Sequence, residues 1–490
     1  MSAAATPFPD PSTRRVDDGP VTDAVRRFRS ALTGPVPLGA LVGSVAVGVV
    51  GAVVLGGGEP GLGVALLAAA LWLPAVPILV RRHAWSPLLT AGLGVALAGV
   101  AVLRDAEWVV VLCLLGAIGA FAVAAMSARS ALGIALAMPT APLAAARAAG
   151  WGWQRLAGSV RGRRGSVLRW LRTGVITAVL LVVFGSLLAS ADAVFATLVP
   201  DLDLGELPGR VLVGALTALA ALAVVSLAIA PPSWSDATIG APAPARRGEW
   251  FTPVLALAAL MAAFLVTQLV TLIGGDDYVR STAGLTYAAY ARQGFGQLVA
   301  VTALTLLVVA WFAVRAPRGG VHDAWTTRAA LGAVCLAALG VVGVALGRMA
   351  LYVTAYGLTE LRLLATTGEI VMGVILALVM AAGVRWRAGW LPLAAVRVTA
   401  VALLALAIAN PDALMVRYNT QAQEAPVDAW HLSGLSADAV PAIDDLAEPL
   451  RSCLLAGHET AVNGSIWSWN LARERAAAID DVASAEGCNS

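Results

Sequence analysis

The sequence predicts an all-α fold: a polytopic transmembrane helical bundle of about 11 spans (range about 10–12), ending in a small helical C-terminal appendage. Three observations predict it. Of 490 residues, 59% are hydrophobic and only 13% charged, with a mean hydropathy of +0.81, whereas soluble domains are about 25% charged. Apolar runs near or above ~18 residues recur along the chain, too long for ordinary core helices. Arginines crowd one set of connecting segments and acids the other. Together these exclude a soluble enzyme, a disordered chain and a disulfide-rich secreted module.

The elements follow in order. Residues 1–35, with Pro, Ser, Asp and five arginines, read as a flexible cytoplasmic tail before an uncleaved first span; the apolar stretch comes late and lacks an A-x-A exit. A first group of four spans occupies 36–126, at 36–56, 61–80, 86–103 and 108–126. Residues 127–173 form a basic, Trp-containing loop. A second group of seven spans fills 174–409, at 174–195, 211–230, 251–273, 296–314, 329–347, 363–384 and 390–409. Helices are the natural spanning form because each satisfies its own backbone hydrogen bonds in hydrocarbon. Trp85, Trp108, Trp250, Trp386 and Trp390 fall at the proposed span ends, where indole prefers to sit. Gly39/Gly43 and Gly343/Gly347 have small-xxx-small spacing for helix contacts. Residues 410–490 form an acidic tail in which Ala437–Ala456 and Ile466–Ala485 show helical apolar spacing.

Charge orients the bundle. With the N-terminus inside, 22 of the 33 arginines fall in cytoplasmic segments and 10 in exported ones, with Arg397 inside a span. The net charge of +3 is thus the remainder of a strongly basic inside and an acidic outside, and an odd number of spans places the C-terminus outside the cytoplasm. Residues 127–173 contain eight arginines and no acid. Arg155, Arg161, Arg163, Arg164, Arg169 and Arg172, interleaved with Trp151, Trp153 and Trp170, are suited to anionic lipid headgroups at about 1 kcal/mol each; a plain solvated loop is the alternative. The expected partners are membrane lipids and an envelope protein, with no nucleic acid.

Chemistry is mostly excluded. Every basic residue is arginine, so lysine-dependent P-loop, Schiff-base and Ser-x-x-Lys chemistries are impossible. The cysteines make no metal spacing; His458-Glu459 lacks the second histidine of a zincin, and Gly434-Leu-Ser436-Ala-Asp438 fails as a nucleophile elbow at its last position. No catalytic residue, metal or cofactor is expected. Cys453 and Cys488, in an exported tail, are able to pair; Cys113 and Cys335, inside spans, read as small hydrophobes.

Polar residues stand out where a bilayer makes them expensive. Arg348, Tyr352, Tyr356 and Glu360 recur every fourth residue, followed by Arg362, and on one helix they form a polar stripe. It reads either as the lining of an exported cavity or as an interfacial belt. Tyr287, Tyr290 and Arg292 precede a span on the same side. Asn410, Pro411 and Asp412 have the order of a helix cap, first position and first-turn acid, with Arg417 beyond. Asp192, Glu369 and Arg397 lie inside spans; Arg397 needs a partner, for which Glu369 and Asp412 are candidates, and such residues mark either an ion path or a structural pair.

These motifs carry a resemblance. Tyr287–Phe295 (YAAYARQGF), Arg348–Arg362 (RMALYVTAYGLTELR) and Asn410–Asn419 (NPDALMVRYN), extended by Asp428–Pro441, resemble signatures of a bacterial multi-pass membrane family known as domain of unknown function 4153/4173, over roughly residues 170–445. The resemblance implies a bacterial plasma-membrane protein and supplies no activity or catalytic residue. It favours one outward-facing site built from the 278–295, 348–362 and 410–441 segments. Three functions compete: a non-enzymatic envelope protein presenting that site, a transporter or channel using the intramembrane charges, and a membrane enzyme acting on lipid-linked substrate, of which Asp276-Asp277 is a weak echo.

Overall fold

The computed structural model describes residues 26–28, 32, 36–55, 59–159, 173, 177, 207–236, 246–283, 294–316, 320–421, 427–456 and 465–479. Apart from Thr177, the expected span at 174–195 lies outside these residues, as do Asp192, Tyr287, Tyr290, Arg292, Cys488, the arginines from Arg161 to Arg172 and most of the N-terminal tail. The fold class is as expected: every regular element described is helical.

The first helices are α1 (Leu38–Val54), α2 (Leu62–Ala70), α3 (Val76–Arg81), α4 (Trp85–Leu103), α5 (Glu107–Ala125), α6 (Ala131–Ala137), α7 (Ala141–Ser159) and α8 (Leu207–Ile229). The second set comprises α9 (Arg247–Ala283), α10 (Phe295–Arg315), α11 (Val321–Tyr356), α12 (Glu360–Arg385) and α13 (Leu391–Ile408). Among the described residues eight helices are long and apolar enough to cross a membrane, or nine if α6 and α7, bent by 66°, count as one span. The count of about 11 is therefore not reproduced. Run 36–56 yields only the 17 residues of α1. Run 61–80 breaks into two short helices because Pro74 and Pro77 cannot donate to a continuous ladder. Within the expected basic loop, 131–137 and 141–159 are helical and are separated at Pro139 and Pro142.

Packing interleaves the two groups. α8, expected to belong to the second, packs on α1 and α7. The α1–α8 crossing is close: a Cβ at Gly48 would lie 2.6 Å from the carbonyl oxygen of Gly214. Of the anticipated glycine pairs only Gly43 makes a close approach, with a Cβ there 3.2 Å from Pro74, whereas Gly39, Gly343 and Gly347 face open space. Spacing alone does not specify which helical face meets a neighbour. α11 is the centre of the second group and packs on α9, α10 and α12. Its stripe of Val334, Ala338, Val341, Val342 and Ala345 has the 3.6-residue period of a buried face. α13 contacts α12 on one side and α4 and α5 on the other, joining the groups.

Beyond α13 the chain forms the expected helical appendage: α14 (Pro411–Gln421), α15 (Ala429–Ser433), α16 (Val440–Asp444), α17 (Leu450–Leu455) and α18 (Leu471–Ala477). It has its own small core of Met415, Val416, Leu432, Ile443 and Leu454. The two longer helices expected there are broken into shorter pieces, with Pro441 in the first turn of α16, Pro449 preceding α17 and Asn470 capping α18.

Candidate functional site

The richest polar cluster lies where the appendage meets the bundle end. α4 and α5 are joined by Arg104, Asp105 and Ala106, and this turn is gripped from the tail. Asp438 is 2% exposed; its Oδ2 accepts the N–H groups of Asp105 (2.6 Å) and Ala106 (2.9 Å), and its Oδ1 pairs with Arg104 at 3.1 Å. Burial pushes the Asp438 carboxyl above its ordinary range, against the pull of those N–H groups and of Arg104. Arg104 also donates to the carbonyls of Ala407 (2.6 Å) and Ile408 (3.0 Å), so one guanidinium caps the C-terminus of α13 and holds the tail. Asn470 Nδ2 does the same for α4, donating to Ala101 and Arg104 carbonyls while its Oδ1 caps α18. Arg473 bridges Glu59 (2.6 Å) and Asp105 (2.9 Å).

A second patch adjoins the first. Asn410 adopts φ 52 and accepts the Ala413 N–H, the capping role its position predicts, and it donates to the Asp438 carbonyl. Asp412, 2% exposed, accepts both the hydroxyl (2.6 Å) and the N–H (3.0 Å) of Ser436 through Oδ2. Its Oδ1 has no hydrogen-bond partner among the described residues. Glu360 lies within electrostatic reach of Asp412 and His431. Arg417 is exposed.

The stripe read on a single helix is divided. Gly357, at φ 79, takes a backbone conformation that L side chains disfavour, and α11 ends there. Glu360 therefore begins a new helix. Arg362 folds back, with its guanidinium 4.1 Å from the Tyr352 ring centroid, and donates to the Tyr356 and Gly357 carbonyls. Tyr352 and Tyr356 meet edge to face at 5.1 Å. Asn419 clasps the turn with two bonds to the N–H and carbonyl of Leu358, at 2.6 and 2.9 Å. Arg348 stands apart, deeper along α11, and donates to Gln268 of α9 at 2.9 Å.

The intramembrane charges are separated. Arg397 meets neither Glu369 nor Asp412; it donates to the Ser86 carbonyl and hydroxyl at 2.8 Å and to Thr90 at 3.2 Å, because α13 packs its face on the start of α4. Glu369 is fully buried, with Thr302 donating to Oε1 at 3.0 Å and no partner for Oε2 among the described residues. At the other end Arg147, from the expected lipid-facing segment, is 5% exposed; it donates to Phe28, Ala230 and Ser226 and covers the Phe28 ring at 3.8 Å. Arg155 lies on α7, and its side chain falls outside the description, as do those of Asp276 and Asp277. Cys453 is disulfide-bonded, whereas Cys113 and Cys335 are free and buried. No cluster of metal-ligating residues occurs among the described residues.

A family model described as "Domain of unknown function (DUF4153)" matches residues 91–446. The chain belongs to this family. The DUF4153 match begins inside α4, well before the 170–445 indicated by the motifs, and so takes in the Arg104–Ala106 turn together with Ser436 and Asp438. Neither a curated protein nor a solved structure matches the chain. Sequence reasoning overlooked Arg104, Asp105, Asn470 and Arg473, and passed over Ser436 and Asp438 as a failed nucleophile elbow. Two signals were available: an Arg-Asp pair at a span exit and an aspartate among small apolar residues in the tail.

Proposed function

We propose that this DUF4153 protein is a non-enzymatic plasma-membrane protein of a bacterium, with the N-terminus cytoplasmic and the appendage outside, where it presents a docking face to an envelope protein. One observation carries the reading. The appendage is fixed to the bundle by buried polar bonds, yet it displays Trp430 at 86% and Ile466 at 66% exposure. Rigidly held, exposed aromatic and aliphatic side chains are the usual anchors of protein interfaces. The test is photocrosslinking in cells from Val427, with and without Trp430→Asp. A discrete protein adduct that the substitution abolishes supports the proposal. Unchanged adducts, or lipid adducts alone, overturn it.

A second reading, transport of a small solute or ion, draws support from the buried Glu369, whose Oε2 has no hydrogen-bond partner among the described residues. Wild-type flux in a Glu369→Gln variant across candidate ions would remove it.

A further inference from the structure

At the bundle end opposite the appendage, a groove of about 830 Å³ opens between α10, α11, α12 and the start of α13. Its walls are aliphatic, including Val309, Leu331 and Val379, and they are thinned by Gly332 and Gly383. Arg328 and Trp386 stand at its rim, the guanidinium 5.7 Å from the indole ring centroid. Arg385 and Arg387 flank Trp386 in sequence, and both are exposed. Among the described residues no acidic side chain lines the groove. Its volume falls within the roughly 300–1,000 Å³ of small-molecule sites.

We propose that this groove binds an anionic phospholipid, with acyl chain between α10 and α12 and the phosphate against Arg328, Arg385 and Arg387. Charge complementarity argues for this occupant. An apolar slot at membrane depth suits hydrocarbon, while Arg328 at its rim, the exposed Arg385 and Arg387 on either side of Trp386, and no carboxylate among the described lining residues select a negative headgroup. Trp386 occupies the interfacial position where indole bridges the two environments. A second protein helix would fill the slot equally well but gives the rim arginines no role. The site is separate from the basic 127–173 segment and does not depend on the docking face proposed above.

The experiment is native mass spectrometry of the full-length protein with phosphatidylglycerol and with phosphatidylcholine. At least a tenfold preference for phosphatidylglycerol is expected. Gly332→Leu and Gly383→Leu fill the groove from positions where a Cβ meets no atom within 4 Å, so the fold should survive; each should reduce phosphatidylglycerol binding at least fivefold. The exposed pair Arg385→Gln/Arg387→Gln, which touches no packing, should narrow the preference toward parity. Equal binding of the two lipids overturns the proposal. So does a preference that survives both groove-filling and rim substitutions, since the lipid would then sit elsewhere.

Discussion

The C-terminal ends of α13 and α12, at opposite ends of the bundle, use arginine in opposite ways. At the appendage end Arg104, Arg362 and Arg473 are engaged with carbonyls and carboxylates. At the opposite end Arg328, Arg385 and Arg387 are exposed. The difference follows from what packs beside the last carbonyls of each helix. α12 terminates in a tight turn with Trp386 at φ 49, whose N–H and that of Arg387 return to Gly383 and Ala382. The Ala382 and Gly383 carbonyls are thus satisfied by backbone, and the neighbouring Arg385 and Arg387 stay exposed. The α13 end also turns, with Asn410 at φ 52 returning its N–H to Ala407, yet Arg104 reaches the Ala407 and Ile408 carbonyls as well, and α8 receives Arg82 at Ala228 and Arg147 at Ala230. Arginine is thus consumed where a neighbouring segment brings a guanidinium against the helix end.

The largest expected effect comes from breaking the consumed side. Asp438→Ala removes one carboxylate that answers three donors; it leaves the Asp105 and Ala106 N–H groups unpaired in a buried place and strips Arg104 of its carboxylate, with only the Ala407 and Ile408 carbonyls remaining to it. Removing one partner of a buried pair costs about 3–5 kcal/mol. The appendage should detach while the bundle persists, read as protease sensitivity beginning at the tail with unchanged helix content. A tail that stays protected would show that the network contributes little to docking.

Arg147→Met is the next test, because it places a consumed arginine at the end where others are free. The loss of buried charge-assisted bonds to Phe28, Ala230 and Ser226 should cost about 1.5–3 kcal/mol. Arg328→Met, at the same end but exposed, should change thermal stability by less than about 0.5 kcal/mol. Equal effects from the two variants would erase the distinction.

How much of this contrast was legible in the sequence depends on distance along the chain. Local features were: the apolar runs, the Asn410-Pro411 cap, and the tryptophans at helix ends all rest on neighbouring residues. Prolines at 74, 77 and 441 announced breaks that long apolar runs outweighed, and Gly357 was absorbed into a four-residue periodicity that it interrupts. The network was not legible, because Arg104 meets Asp438 across 334 positions and Asn470 reaches Ala101 across 369. For the same reason the partner of Arg397 was sought among acids when it is a pair of hydroxyls and a carbonyl on α4.

A moderate effect is expected at the turn between α11 and α12. Asn419→Ala leaves the Leu358 N–H and carbonyl without their partner, at about 1–3 kcal/mol. Hydrogen exchange at 357–359 should accelerate while that of Val341 and Ala345 in the α11 core does not.

The smallest effect sharpens the comparison within the appendage, where two carboxyls titrate in opposite senses. Glu448 is exposed, and Ser452, with Arg451, holds its carboxyl below the ordinary range. A depressed carboxyl binds its proton more weakly when folded, so its contribution is present above the ordinary value of about 4.3 and is lost as pH falls through that range. Asp438, pushed up by burial, binds its proton more tightly when folded. Its contribution therefore declines as pH rises from about 3.9 through its folded value. Thermal unfolding between pH 3 and pH 7 separates the two. The stability difference between wild type and Glu448→Gln should grow with rising pH, and that between wild type and Asp438→Asn should shrink. Parallel trends would mean that the N–H groups and Arg104 outweigh burial at Asp438, making the docking contact a stabilised carboxylate rather than a strained one.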